Sequence, residues 1–251
     1  AANVLSKLED YLQTEWPELD VYLTSVTDHY STASICGPNS KKILKKLFPD
    51  KDFSDEAFPH MSYQSAKIDN AECRIMRISF TGELSYEINI ESKYSKSLWE
   101  SCIIAGEEYK ITPYGTETMH LLRAEKGFII VGQDTDGTMT PIDLQMDWIV
   151  SKKKYDFIGK RSLYRSDTIR EDRKQLVGLL TDNPNEILEE GAQIVSELGK
   201  KPVEMIGHVT SSYFRPNLNK SIALAVVKGG KKMKGQKLFV PMESKNINVT
   251  V

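Results

Sequence analysis

The side chains in this sequence whose types suit ligand chemistry are Glu83, Arg123, Glu125, the run 133–136 with Gln133 and Asp134, and Trp148. A carboxylate accepts two parallel N–H bonds and an indole supplies a stacking or edge wall, so the set suits a planar, amide-rich ligand. On spacing alone Glu83 reads first as a solvated turn carboxylate and second as an acceptor for a ligand's N–H groups. The loop around Asp134 reads as carboxylates capping their own backbone. Gln133, Asp134, Asp136 and Thr138 do not reproduce an EF-hand register, and no glutamate closes it. There is no GxxxxGK[ST] loop, because Gly159-Lys160-Arg161-Ser162 has no upstream glycine at the required distance, and GxGxxG, GxSxG and HExxH are missing. Cys36, Cys73 and Cys102, like His29, His60, His120 and His208, lie far apart, so neither a disulfide framework nor a metal site is expected.

The elements that must position these groups follow from periodicity. Around Thr81-Gly82, the segment 74–90 alternates apolar and polar residues, predicting a hairpin. Met76, Ile78 and Phe80 would share one strand face, with Leu84, Tyr86, Ile88 and Ile90 on the other strand. Gly82 supplies the positive φ a tight turn requires, and Glu83 falls at its mouth. Leu5, Leu8 and Leu12 predict a helix over 3–13; strands are expected at 21–27 and 30–36. A short lysine-faced helix follows Gly37, with Ile43, Leu44, Leu47 and Phe48 inward, then a loop over 50–61. Ser92 begins a helix carrying Leu98, Cys102 and Ala105 on one stripe. Strand, helix, hairpin, helix is the order of a ferredoxin-like split β-α-β unit.

Pro113 is expected to start a further helix stopped by Gly127, with Thr118, Leu121, Leu122 and Glu125 on one stripe. Burying Glu125 there requires a partner, and Arg123 is too close in sequence to face it. A strand at 128–131 and an amphipathic segment over 142–154 come next. The polar stretch 166–173 is the natural boundary. Beyond it, QLVGLLTD, AQIVSE, MIGHVTSSY, SIALAVVKG and QKLFVP are short strands between turn residues, which predicts a small barrel or sandwich.

With 33 basic and 35 acidic residues among 251, a formal charge of −2 gives no sign of a nucleic-acid surface. No apolar run is long enough to span a membrane and no secretion signal is visible, so a cytoplasmic protein with reduced cysteines is expected. The first residue is Ala1, which suggests a chain beginning part-way through a longer product.

TGELSYEI resembles the hairpin of the glycine-cleavage T-protein family, the folate-dependent aminomethyltransferases. TEWPELDVYLTSVTD, TPYGTETMHLLRAEKG, VGQDTDGTMTP, WIVSKKKYDFIGKRS and GHVTSSY resemble one branch of it, the C-terminal folate-binding region of the α subunit of heterotetrameric sarcosine oxidase. The likeness runs from about Leu12 to Tyr213. It implies an α+β fold, a ferredoxin-like folate-binding core followed by a small C-terminal β-barrel, divided as 1–165 and 166–251. It implies tetrahydrofolate as cofactor, with flavin and NAD held only in other regions or partner subunits. The implied partners are folate, a sarcosine-derived imine and a flavin-bearing β subunit, with neither nucleic acid nor membrane. The implied reaction carries a one-carbon unit from the imine to tetrahydrofolate, giving 5,10-methylenetetrahydrofolate and glycine.

Residue by residue, the resemblance sets Glu83 against the pterin N3–H and amino group and Trp148 in the folate pocket. Arg123, Glu125, Gln133 and Asp134 occupy matching motif positions, where internal struts are the alternative role. Tyr63 and Tyr86 are candidate pocket walls. The family's catalytic aspartate lies upstream of Ala1, so no catalytic residue is assigned. Met119 stands where T-proteins proper carry arginine, which fits the sarcosine-oxidase branch and leaves the folate tail to be held elsewhere. Two alternatives are a T-protein-like methyl- or aminomethyltransferase and a non-catalytic folate-binding or assembly module.

Overall fold

The computed structural model describes residues 1–199 and 201–251. It forms two compact units, Ala1–Tyr114 and Gly115–Val251. In the first, a four-stranded antiparallel sheet has the order β1-β4-β3-β2, with β1 Tyr30–Cys36, β2 Tyr63–Ile68, β3 Ala71–Met76 and β4 Ser85–Glu91. The alternation in SYEINIE does what its period demands: Tyr86, Ile88 and Ile90 are wholly buried. Helices α2 (Ser40–Leu47) and α3 (Ser95–Gly106) cover that face, and Leu44 and Leu98 sink into the same cluster. Each such side chain contributes about 1.5–3 kcal/mol of burial. The helix predicted at the start forms as α1, Ala2–Thr14, but buries none of its residues.

The hairpin differs in phase and in turn. Its first strand buries Ala71, Cys73 and Ile75, the opposite parity to Met76, Ile78 and Phe80, and Phe80 is 40% exposed. Pairing explains this, because Cys73 lies opposite Ile90 and Ile75 opposite Ile88, so the buried face of β4 dictates that of β3. After Met76 the chain leaves the β4 ladder: the Arg77 amide bonds Ser62 O, and its guanidinium donates to Phe58 O at 2.7 Å. Thr81-Gly82 therefore sits inside a long connection, residues 77–84, rather than in a two-residue turn, although Gly82 does take φ +76°. The expected strand at 21–27 does not form; a short 3₁₀ turn, Thr27–His29, leads directly into β1. β2 was not anticipated.

In the second unit, α4 runs Thr116–Glu125, starting three residues later than Pro113 and ending as expected with Gly127 at φ +73° and Phe128 N bonded to Arg123 O. The strand at 128–131 does not appear, and the amphipathic segment over 142–154 holds only the 3₁₀ turn Asp147–Ile149. Six strands then close a barrel in the order β10-β5-β8-β7-β6-β9. They are β5 Lys174–Thr181, β6 Gln193–Val195, β7 Met205–Arg215, β8 Lys220–Lys228, β9 Lys237–Pro241 and β10 Asn246–Thr250, the last unanticipated. Val177, Val209, Ala225 and Val227 fill the interior. Leu176, Leu224 and Val226 point the other way and pack with Ala124 of α4. Among the described residues no helix is long and apolar enough to cross a membrane.

Candidate functional site

In the first unit, Glu83 stands half-buried on the 77–84 connection, directly after the positive-φ glycine. Its amide bonds the hydroxyl of the buried Thr81 at 3.4 Å. On the same connection the Ser79 hydroxyl is buried and has no hydrogen-bond partner among the described residues. Tyr63, at the start of β2, is 67% exposed. Tyr86 is wholly buried, its ring 5.7 Å from Phe58 and 6.4 Å from Phe53, so it is a core aromatic with no surface to offer a ligand. Burial pushes its phenol up from the ordinary value.

A polar cluster on the other sheet face escaped sequence reading. Ser34 Oγ and Ser85 Oγ are 3.3 Å apart, the Cys36 thiol donates to Tyr114 Oη at 3.3 Å, and Glu87 lies opposite Ser34. Burial pushes the Glu87 carboxyl up; burial, followed by the Cys36 contact, pushes the Tyr114 phenol to about 12. The signal was present as the off-phase half of the β4 alternation, Ser85, Glu87 and Asn89, which reads simply as solvent face.

In the second unit the structure brings Arg123, Gln133 and Asp134 together. Arg123 is wholly buried, and its guanidinium lies 2.5 Å from Asp134 Oδ2. It also donates to Phe128 O at 3.0 Å and to Ser211 Oγ at 2.7 Å. Asp134 accepts further bonds from the Thr210 hydroxyl (2.5 Å), the Ser211 hydroxyl (2.6 Å) and the Ile130 amide (2.8 Å). Gln133 reaches Ser211 Oγ at 3.1 Å and Glu190 at 3.0 Å. These contacts fasten α4 and the loop after it to β7. The strut role therefore describes Arg123, Gln133 and Asp134 within this unit.

Glu125 finds the partner its stripe demanded in Arg215 of β7, whose Nε lies 2.6 Å from Oε1, although the N–H is not aimed along a hydrogen-bond direction. Asp136 caps the Thr138 amide at 2.7 Å and hydroxyl at 2.6 Å, the self-capping loop expected from the sequence. Trp148, in the turn 147–149, is 76% exposed, which removes the alternative that it anchors a core in this unit.

An α+β unit built on an antiparallel sheet, followed by a closed six-stranded barrel, defines a two-part class of protein. The GCVT N-terminal domain model matches residues 1–154, and the glycine cleavage T-protein C-terminal barrel domain model matches residues 174–251. The chain belongs to the glycine cleavage T-protein family. It is 51% identical, over its whole length, to sarcosine oxidase subunit alpha of Corynebacterium sp. (strain P-1). It is 30% identical, over 92% of its length, to mitochondrial dimethylglycine dehydrogenase of Mus musculus. The chain spans 26% of the length of each of these two relatives. The crystal structure of glycine cleavage system aminomethyltransferase T from Bartonella henselae superposes with a TM-score of 0.82 at 22% identity, covering 100% of this chain and 64% of that one. That likeness concerns the fold.

Proposed function

We propose that this chain is the folate-binding, aminomethyltransferase-like part of a sarcosine oxidase α-type subunit. The observation that carries this reading is the 51% identity to such a subunit along the whole chain, on a T-protein fold. The residues present fit the group. Glu83 carries a carboxylate, the group that accepts parallel N–H donors of the kind a pterin edge presents, on the connection that also holds the Ser79 hydroxyl. Within the second unit, taken by itself, Trp148 exposes its indole. Tyr63 is a second exposed aromatic, whereas Tyr86 drops out as a ligand wall because it has no exposed surface.

In this reading the Glu83 carboxylate binds and orients the pterin. Arg123 and Asp134 act indirectly by holding α4 and its following loop on the barrel. Bound tetrahydrofolate supplies the nucleophilic amine that takes up the one-carbon unit of a sarcosine-derived imine. The imine would come from a flavin-bearing partner subunit in the cytoplasm. A functional division near 165–166 is supported by its position between the two matched domains, which end at 154 and resume at 174.

Titration calorimetry with tetrahydrofolate tests the pterin assignment. Glu83→Ala, at the half-buried surface, should weaken binding by about 1.5–3 kcal/mol, the worth of a hydrogen bond to a charged group. Equal heats for parent and variant would refute it. Methylene transfer on adding sarcosine and a flavin-bearing β-type subunit, and its absence without that subunit, would separate this reading from a free-standing T-protein.

A further inference from the structure

The outer face of the barrel carries a cleft of about 450 Å³ that the folate reading does not use. Its floor is set by strand register. Lys174 of β5 lies directly opposite Lys228 of β8, and His208 of β7 lies opposite Val226, two residues from Lys228 on the same face. Like charges directly opposite across an antiparallel pair repel, so the fold concentrates positive charge here at a cost. The loop 132–139 and the segment 167–173 form the walls.

The acidic groups along those walls are already engaged. Arg170 holds Asp167 and Asp172, at 3.1 and 2.7 Å. Arg173 takes both oxygens of Asp143 at 2.9 Å and Asp167 at 2.7 Å. Asp136 is turned onto Thr138, and Lys228 pairs with Glu204 at 3.1 Å. Lys174 Nζ and the His208 ring form no hydrogen bond or ion pair among the described residues. Burial and then the charge on Lys174 hold the His208 imidazole below its ordinary value, with Asp136 opposing them.

We propose that this cleft is a second binding site, in which Lys174 and His208 grip the oxyanion end, carboxylate or phosphate, of a small organic ligand. Its volume is that of a ligand pocket and exceeds what a lone ion needs. An oxyanion there would separate the two opposed lysines electrostatically and accept both free donors at once.

The test is a titration of the full 251-residue chain, with ¹³C-labelled histidine followed by NMR and the His208 signal assigned by His208→Gln. Sodium phosphate and sodium succinate are added separately, with ionic strength held constant by sodium chloride. His208 signals are expected to move saturably, and its ring pKa to rise, because a bound anion favours imidazolium. Saturation by phosphate alone identifies a phosphate end and by succinate alone a carboxylate end; saturation by both identifies oxyanion recognition without discrimination. Lys174→Met should weaken the response about tenfold or more, as expected for loss of a charge-assisted bond. Unchanged His29, His60 and His120 signals report that the variant is folded, and Lys228→Met provides a second such variant. Lys96→Met, on a side chain 87% exposed on α3, should change nothing. No saturable shift, an equal response to chloride, or a Lys174→Met titration matching the parent would overturn the proposal.

Discussion

Replacing Asp134 by asparagine removes one charge from an ion pair in which both side chains are fully enclosed. Four donors converge on those two oxygens: Arg123, the Ile130 amide and the hydroxyls of Thr210 and Ser211. An asparagine NH₂ would face donors with a donor, while the Arg123 guanidinium stayed buried without its counter-charge. Breaking a buried pair from one side costs about 3–5 kcal/mol. At about 2–4 °C per kcal/mol for a domain of this size, Tm should fall by roughly 6–20 °C. Arg123→Met should cost less, because Asp134 would keep three neutral donors. The double variant Arg123→Met/Asp134→Leu should be more stable than Asp134→Asn, since neither charge is stranded. Burial works to raise the Asp134 pKa, but the hydroxyls of Ser211 and Thr210, the Ile130 amide and Arg123 outweigh it and hold the group low. A carboxylate depressed in the folded state adds stability that is full above its unfolded value, about pH 4, and is lost as pH falls through the folded value. The parent-minus-variant difference in thermal or urea unfolding should therefore be flat near neutrality and shrink below about pH 4. A Tm within a degree or two of the parent at pH 7 would refute the strut assignment.

The three cysteines should separate by reactivity. Cys73 and Cys102 are buried, which pushes both thiols to about 11, whereas Cys36 is half-buried beside Tyr114. At pH 8 Ellman's reagent should titrate one thiol quickly and two only after denaturation; three equal rates would contradict the burial. Gly207→Ala should destabilise by at least about 1–3 kcal/mol, the overpacking range, because a Cβ there would meet Val226 O at 2.2 Å. Gly178→Ala, where a Cβ would meet nothing within 4 Å, should stay within about 0.5 kcal/mol in the same urea melts.

Period and turn chemistry made much of the framework readable before any coordinates. The β4 alternation, the Gly127 stop and five of the six barrel strands follow from local pattern, since each residue's environment there is set by its own element. The failures are places where a distant partner decides. The segment 71–80 has two apolar series of opposite parity, and the pairing of β3 with β4 selected Cys73 and Ile75 over Met76, Ile78 and Phe80. Segment 128–131 is apolar enough for a strand, but the Arg123 guanidinium bonds Phe128 O and Asp134 Oδ2 bonds the Ile130 amide, so tertiary contacts claim that backbone instead.

The candidate site divides along the same physical line. A motif match indicates which residue types recur, without distinguishing a group held by packing from one held for a ligand. Burial makes that distinction for Arg123 and Asp134, whose hydrogen-bonding capacity is almost wholly consumed inside the second unit. Arg123 Nε is left without a hydrogen-bond partner among the described residues. Trp148 shows the reverse: an indole 76% exposed forgoes most of the burial that normally justifies so large an apolar ring. Glu83 is intermediate in burial, on a connection anchored at one end by β3 and at the other by β4.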